Sequence, residues 1–195
     1  MALITKIVSG GQTGADRGGL DAAIALGVPH GGWCPKERRA EDGKVPKRYR
    51  LRETSAANYQ SRTRRNVLAA DGTVVFTKGP VTPGSALTVR IARSAGKPCL
   101  HLDMNRLGAA AEDRLREWIT HHQIRTLNVA GSRESLVPGI RKAVTKFLTA
   151  SLRSPRTAYV LEEEFVGLDA PQEQAVAEAP YRARGGSRHV RRRLR

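Results

Sequence analysis

The chain has 195 residues, 39% of them apolar, and a formal net charge of +16. That length supplies one packed domain with a tail, and no apolar run approaches the roughly 20 residues of a membrane helix. Cys34 and Cys99 have no metal-ligand spacing and make no disulfide framework, and Met1–Val8 is strand-like rather than a secretory leader, so a cytoplasmic protein without a metal site is expected.

The charge is not confined to the C-terminus. Seven arginines crowd the last fourteen residues, yet residues 1–150 carry 25 Lys+Arg against 12 Asp+Glu, a net of about +13. A field of that sign concentrates anions such as nucleotides, phosphorylated cofactors or nucleic acid. Solvated surface arginine is the bland alternative.

In chain order, the β-branched run 3–9 reads as a strand. A helix follows over 15–27, with Leu20, Ala23, Ile24 and Leu26 on one face and Gly27 as its stop. Residues 28–53, rich in Pro, Gly and charge, read as a long excursion, and a second helix is expected from Ser55 to Ala70. Then come a buried strand at 73–76, a helix at 84–95 and a strand at 99–102. A helix at 107–122, a strand at 126–129 and an amphipathic helix at 139–152 complete the pattern. Strands alternating with helices of this length mean a parallel sheet with right-handed crossovers, an α/β, Rossmann-like sheet sandwiched by helices over residues 1–153. The tail, 154–195, is acidic and then Arg-rich, lacks apolar content and is expected to be disordered.

Ligands of such sheets collect beyond the carboxyl ends of the strands. The sharpest loop there is Gly10-Gly11-Gln12-Thr13-Gly14-Ala15-Asp16-Arg17. Its glycines let amides approach an anion, and Gly14 stands at a helix entrance, where the dipole favours phosphate. Asp16 either caps the helix or binds ligand hydroxyls. Gly84 and Ser85 repeat the logic at a later helix start, with Ser85 as a hydroxyl donor. Gly131, Ser132, Arg133 and Glu134 form a third loop, whose guanidinium suits bidentate phosphate contact. The spacing is neither the dinucleotide fingerprint nor a Walker loop. Trp33 is a stacking or a buried residue, Cys34 a weak candidate for a reactive thiol, and Arg62, Thr63 and Asn66 share one helical face. His121–His122 needs no metal, because a helix C-terminus favours cations.

Several blocks carry a family resemblance. They are Ser9–Arg17, Gly19–Ala23, Pro29–Lys36, Ala40–Gly43, Leu51–Thr54, Arg62-Thr63 with Asn66-Val67, Gly84–Thr88 and Leu127–Ser135. Together they resemble the molybdenum-carrier family, the circularly permuted YpsA branch of the SLOG superfamily, over residues 3–150. The resemblance implies a carrier or sensor of a phosphorylated planar ligand, either molybdenum cofactor (molybdopterin) or a nucleotide, and, by analogy with relatives that pair, a homo-oligomer. It also implies two alternatives. Phosphoribohydrolases of the superfamily use a Pro-Gly-Gly-x-Gly-Thr-x-x-Glu motif. Here Pro83–Thr88 is the counterpart, and Ile91 stands where the catalytic Glu would be. A hydrolase would then use Asp16 or Glu134 as acid or base, and no catalytic residue is assigned. DprA-like proteins have a similar glycine loop and bind single-stranded DNA, which the positive charge also favours.

Overall fold

The computed structural model describes residues 4–55 and 58–153. The expected tail, 154–195, lies outside the described residues. Five strands, β1 (Lys6–Val8), β2 (His30–Gly31), β7 (Gly72–Thr77), β8 (Cys99–Asp103) and β9 (Thr126–Gly131), form one sheet in the order β2-β1-β9-β7-β8. All its pairings are parallel. The helices are α1 (Ala15–Leu26), α2 (Tyr59–Leu68), α3 (Pro83–Ser94), α4 (Ala111–His121) and α5 (Ile140–Leu152). The connection β1–α1–β2 steps toward one edge and β7–α3–β8 toward the other, so right-handed crossovers place α1 and α3 on opposite faces. Accordingly α1 packs on α5 and α5 on α4, while α2 packs on α3.

The main core joins Ile7, Val74, Phe76, Leu127 and Val129 of the strands to Leu115, Ile119, Val144 and Leu148 of the helices. Phe76 and Phe147 meet edge to face at 5.7 Å. Burying side chains of this size supplies about 1.5–3 kcal/mol each. β7 is buried along its whole length, as a strand covered on both faces must be.

The local boundaries differ from the sequence reading for identifiable reasons. α2 begins at Tyr59 rather than Ser55, because the Asn58 side chain accepts from the Ser61 amide and caps the helix there. On α1, Ile24 is exposed and Ala22 takes a buried place, while the first turn is buried as well, since it enters beneath the sheet's carboxyl edge.

The excursion is not featureless. Besides β2 it holds a parallel pair, β3 (Trp33–Cys34) with β6 (Arg52–Glu53), and a hairpin, β4 (Arg39–Ala40) with β5 (Gly43–Lys44). A second small core of Leu20, Cys34, Ala40, Val45, Tyr49 and Leu51 lies under it. Arg38 organises this region: its guanidinium donates to the carbonyls of Val45, Pro46, Tyr49 and Leu51 at 2.9–3.2 Å. No helix among the described residues is long and apolar enough to cross a membrane.

Candidate functional site

The connections from β1 and β7 diverge, with β9 between them, so a crevice opens beyond the carboxyl ends of these three strands. A cleft of about 270 Å³ occupies it. Its floor is Asn128 to Gly131 of β9, its walls come from Gly10, Gln12 and Asp16 on one side and Thr82 to Gly84, Leu87 and Thr88 on the other, and α2 closes it with Tyr59, Arg62, Thr63 and Asn66. Arg133 and Leu136 stand among its lining residues.

Asp16 and Arg62 form a buried ion pair at 2.7 Å, with side chains 5% and 13% exposed. Asp16 Oδ2 also accepts from the Gln12 amide at 3.3 Å. The carboxylate therefore locks the glycine loop to α2 rather than capping α1, which has no side-chain cap. Gly10 is what makes room: a Cβ there would overlap the Arg62 guanidinium. Gly14 has a different reason, since its φ of 80° is left-handed and a Cβ would strike the backbone of Ser132 to Glu134. Gln12 Oε1 accepts from the amides of Thr13 and Glu41, both at 3.0 Å.

Two donors on residues that line this cleft have no protein partner. Gln12 Nε2 and Arg62 Nε are both buried without a hydrogen bond. The Arg133 guanidinium lies 5.2 Å from the Tyr59 ring centroid and 3.8 Å from Glu41 Oε2.

Of the residues singled out in the sequence, Gly10, Gln12, Asp16, Gly84, Gly131 and Arg133 come together around this cleft, and so does the α2 face of Arg62, Thr63 and Asn66. Thr13, Gly14, Arg17 and Glu134 line a separate depression with Glu41, Asp42, Ser135 and Arg141. There Arg17 grips Asp42 through two bonds of 2.5 and 2.7 Å, which holds the Asp42 carboxyl below its usual range. Burial raises the Glu41 carboxyl. Hydrogen bonds from Thr13 and Ser135, aided by Arg133, outweigh that and lower it. Glu134 accepts from the amides of Gly139 and Arg141 at 2.6 and 3.0 Å, so it caps α5.

Gly11, Ser85 and Ser132 line neither hollow. Ser85 is buried within the α3 cap formed by Thr82, and Ser132 is buried with its hydroxyl unpartnered. Cys34 is buried, its thiol faces the Arg52 carbonyl, and burial pushes its pKa up, the opposite of what a reactive thiol needs. Asn66 clamps Trp33 by accepting from its amide and donating to its carbonyl. Tyr59, Leu87, Asn128 and Leu136 escaped the sequence reading. Tyr59 sits three residues before Arg62, and that helical spacing was the available signal. Among the described residues no group of His, Cys, Asp and Glu is arranged to hold a metal ion.

The model of the circularly permuted YpsA SLOG family matches residues 7–152. The crystal structure of a protein from Syntrophus aciditrophicus, named "Putative molybdenum carrier protein", is similar at 45% identity. The match has a TM-score of 0.75 and covers 77% of this chain and 96% of that one. Comparison with curated proteins gives no match. By its sheet, its glycine loop and a family match spanning the strands and helices described above, the chain belongs to the circularly permuted YpsA family of the SLOG group.

Proposed function

We propose that the cleft binds a phosphorylated planar ligand, a nucleotide or the molybdopterin form of molybdenum cofactor, and that the chain acts as its carrier or sensor. The observation that carries this reading is the pair of unpartnered buried donors, Gln12 Nε2 and Arg62 Nε, on residues that line one cleft. Leaving a buried donor unsatisfied costs about 1–3 kcal/mol, and an acceptor-rich ligand removes that cost on binding. Phosphate oxygens suit these donors, and a flat ring suits Tyr59, Leu87 and Leu136. The similar protein's name supports the pterin, while the donor set accepts a nucleotide equally well. No Cys or His lines the cleft, so the protein's grip would fall on the organic part of the cofactor and not on its metal.

Turnover has less support, because both acids available for it are engaged, Asp16 by Arg62 and Glu134 by the α5 amides. Mass spectrometry of the small molecule that co-purifies with the chain, followed by thermal-shift titration with nucleotides and pterin phosphates, tests the reading. A phosphorylated ring compound that restabilises the stripped protein is expected. A protein that none of them stabilises refutes it, and release of free base from a nucleoside monophosphate would restore the hydrolase.

A further inference from the structure

Residues 30–65 carry 11 Lys+Arg against 4 Asp+Glu, more than half of the excess charge of residues 1–150. At the β3–β6 pair two of these arginines meet one ring. The half-buried Trp33 has the Arg65 guanidinium 4.7 Å and the Arg52 guanidinium 5.9 Å from its centroid. Asn66 fixes the Trp33 backbone through both its amide and its carbonyl. Arg50, exposed, lies two residues before Arg52, and its amide meets the His30 ring nitrogen at 3.3 Å. Arg64, next to Arg65 on α2, is also exposed. Among the described residues no carboxylate forms an ion pair with Arg50, Arg52, Arg64 or Arg65. Two uncompensated guanidiniums on a held indole, with exposed Arg50 and Arg64 close in sequence, call for a polyanion that also offers flat rings.

We infer that this face, outside the cleft, binds single-stranded nucleic acid, with phosphates on Arg50, Arg52, Arg64 and Arg65 and a base against Trp33. Such sites combine a basic track with an aromatic platform. An acidic peptide would use the guanidiniums and leave the indole idle. A lipid surface would need exposed apolar side chains. Of the exposed large ones only Leu68 shares α2 with the patch, and a single exposed leucine is too little to anchor a lipid surface. α2 links this face to the cleft, because Arg62 points into the cleft and Arg65, one turn on, lies over Trp33.

The chain has two tryptophans, so the full-length Trp118→Phe variant leaves Trp33 as the reporter. Titration with an oligothymidylate of about 20 nucleotides is expected to quench the indole emission. In a second arm, replacing Arg52 and Arg65 together by Gln should weaken anisotropy-detected binding by about tenfold and flatten the salt slope by about 1.4, two phosphate contacts' worth. Inorganic polyphosphate should compete without quenching. Binding without any change in Trp33 emission would overturn the inference. So would an affinity unmoved by the double replacement, which would assign the binding to other arginines, including those of 182–195.

Discussion

The loop between β1 and α1 has two sides built from similar residue types, and they differ in what their polar atoms have left to do. On the outer side every charged group is engaged: Arg17 with Asp42, Glu41 with Thr13 and Ser135, Glu134 with the start of α5. On the inner side the Asp16–Arg62 pair is also closed, but Gln12 Nε2 and Arg62 Nε remain without partners. Satisfied charge is scaffold, and buried unsatisfied donors beside a cleft ask for an acceptor, the part that the proposed function assigns to the ligand. Both sides are equally polar in the sequence, so the difference belongs entirely to the fold.

The largest expected effect falls on the joint between the two sides. Gly14→Ala forces a side chain onto a left-handed position against the Ser132–Glu134 backbone and should cost about 3 kcal/mol or more in urea unfolding. Near-normal stability would show that these loops are not locked together. Next, Arg17→Ala on the outer side should lose about 2 kcal/mol of stability, while affinity for the co-purifying ligand changes by less than about threefold. A large affinity loss there would erase the contrast. On the inner side Arg62→Lys keeps a cation for Asp16 but removes the free Nε. Ligand affinity should fall about tenfold, with stability changed by less than about 1 kcal/mol, which calorimetric titration and urea melts read separately.

The smallest effect is a pH dependence from the outer side. Folding lowers the pKa of Glu41 and Asp42, so their contribution is complete above the ordinary carboxylate value of about 4 and is lost as the pH falls below it. The urea midpoint should drop across that window, and less steeply in Glu41→Gln. An identical profile in the variant would remove Glu41 from the latch.

The strands β7, β8 and β9 and the positions of the three loops that follow strands were legible because each is announced by local pattern: a β-branched run, then small residues, then a helix start. β2 was not, since two residues with a histidine and a glycine carry no periodicity and pair only because β1 is beside them. The sequence pointed to Arg133 as the cation of the site. Arg62 gains its place only through its contact with Asp16, 46 residues away, and through the empty volume at Gly10. Glu41 lay in a block that carried the resemblance, but its role stayed hidden for the same reason, for its partner Ser135 is 94 residues distant. Pairings of that span follow from strand order, which no window of sequence contains.

Arg38 has a kinetic consequence. One guanidinium holds four carbonyls of the 45–51 segment, so this stretch of short strands and turns is tied together at its backbone and should open as one unit. In hydrogen exchange its protected amides, such as those of Val45 and Leu51, would then exchange together and ahead of β7 and β9. The β4–β5 hairpin would loosen with them, and with it the latch that Glu41 and Asp42 place on the glycine loop. Removing that one side chain would turn the region bearing the outer latch from a rigid brace into a door on a slow hinge.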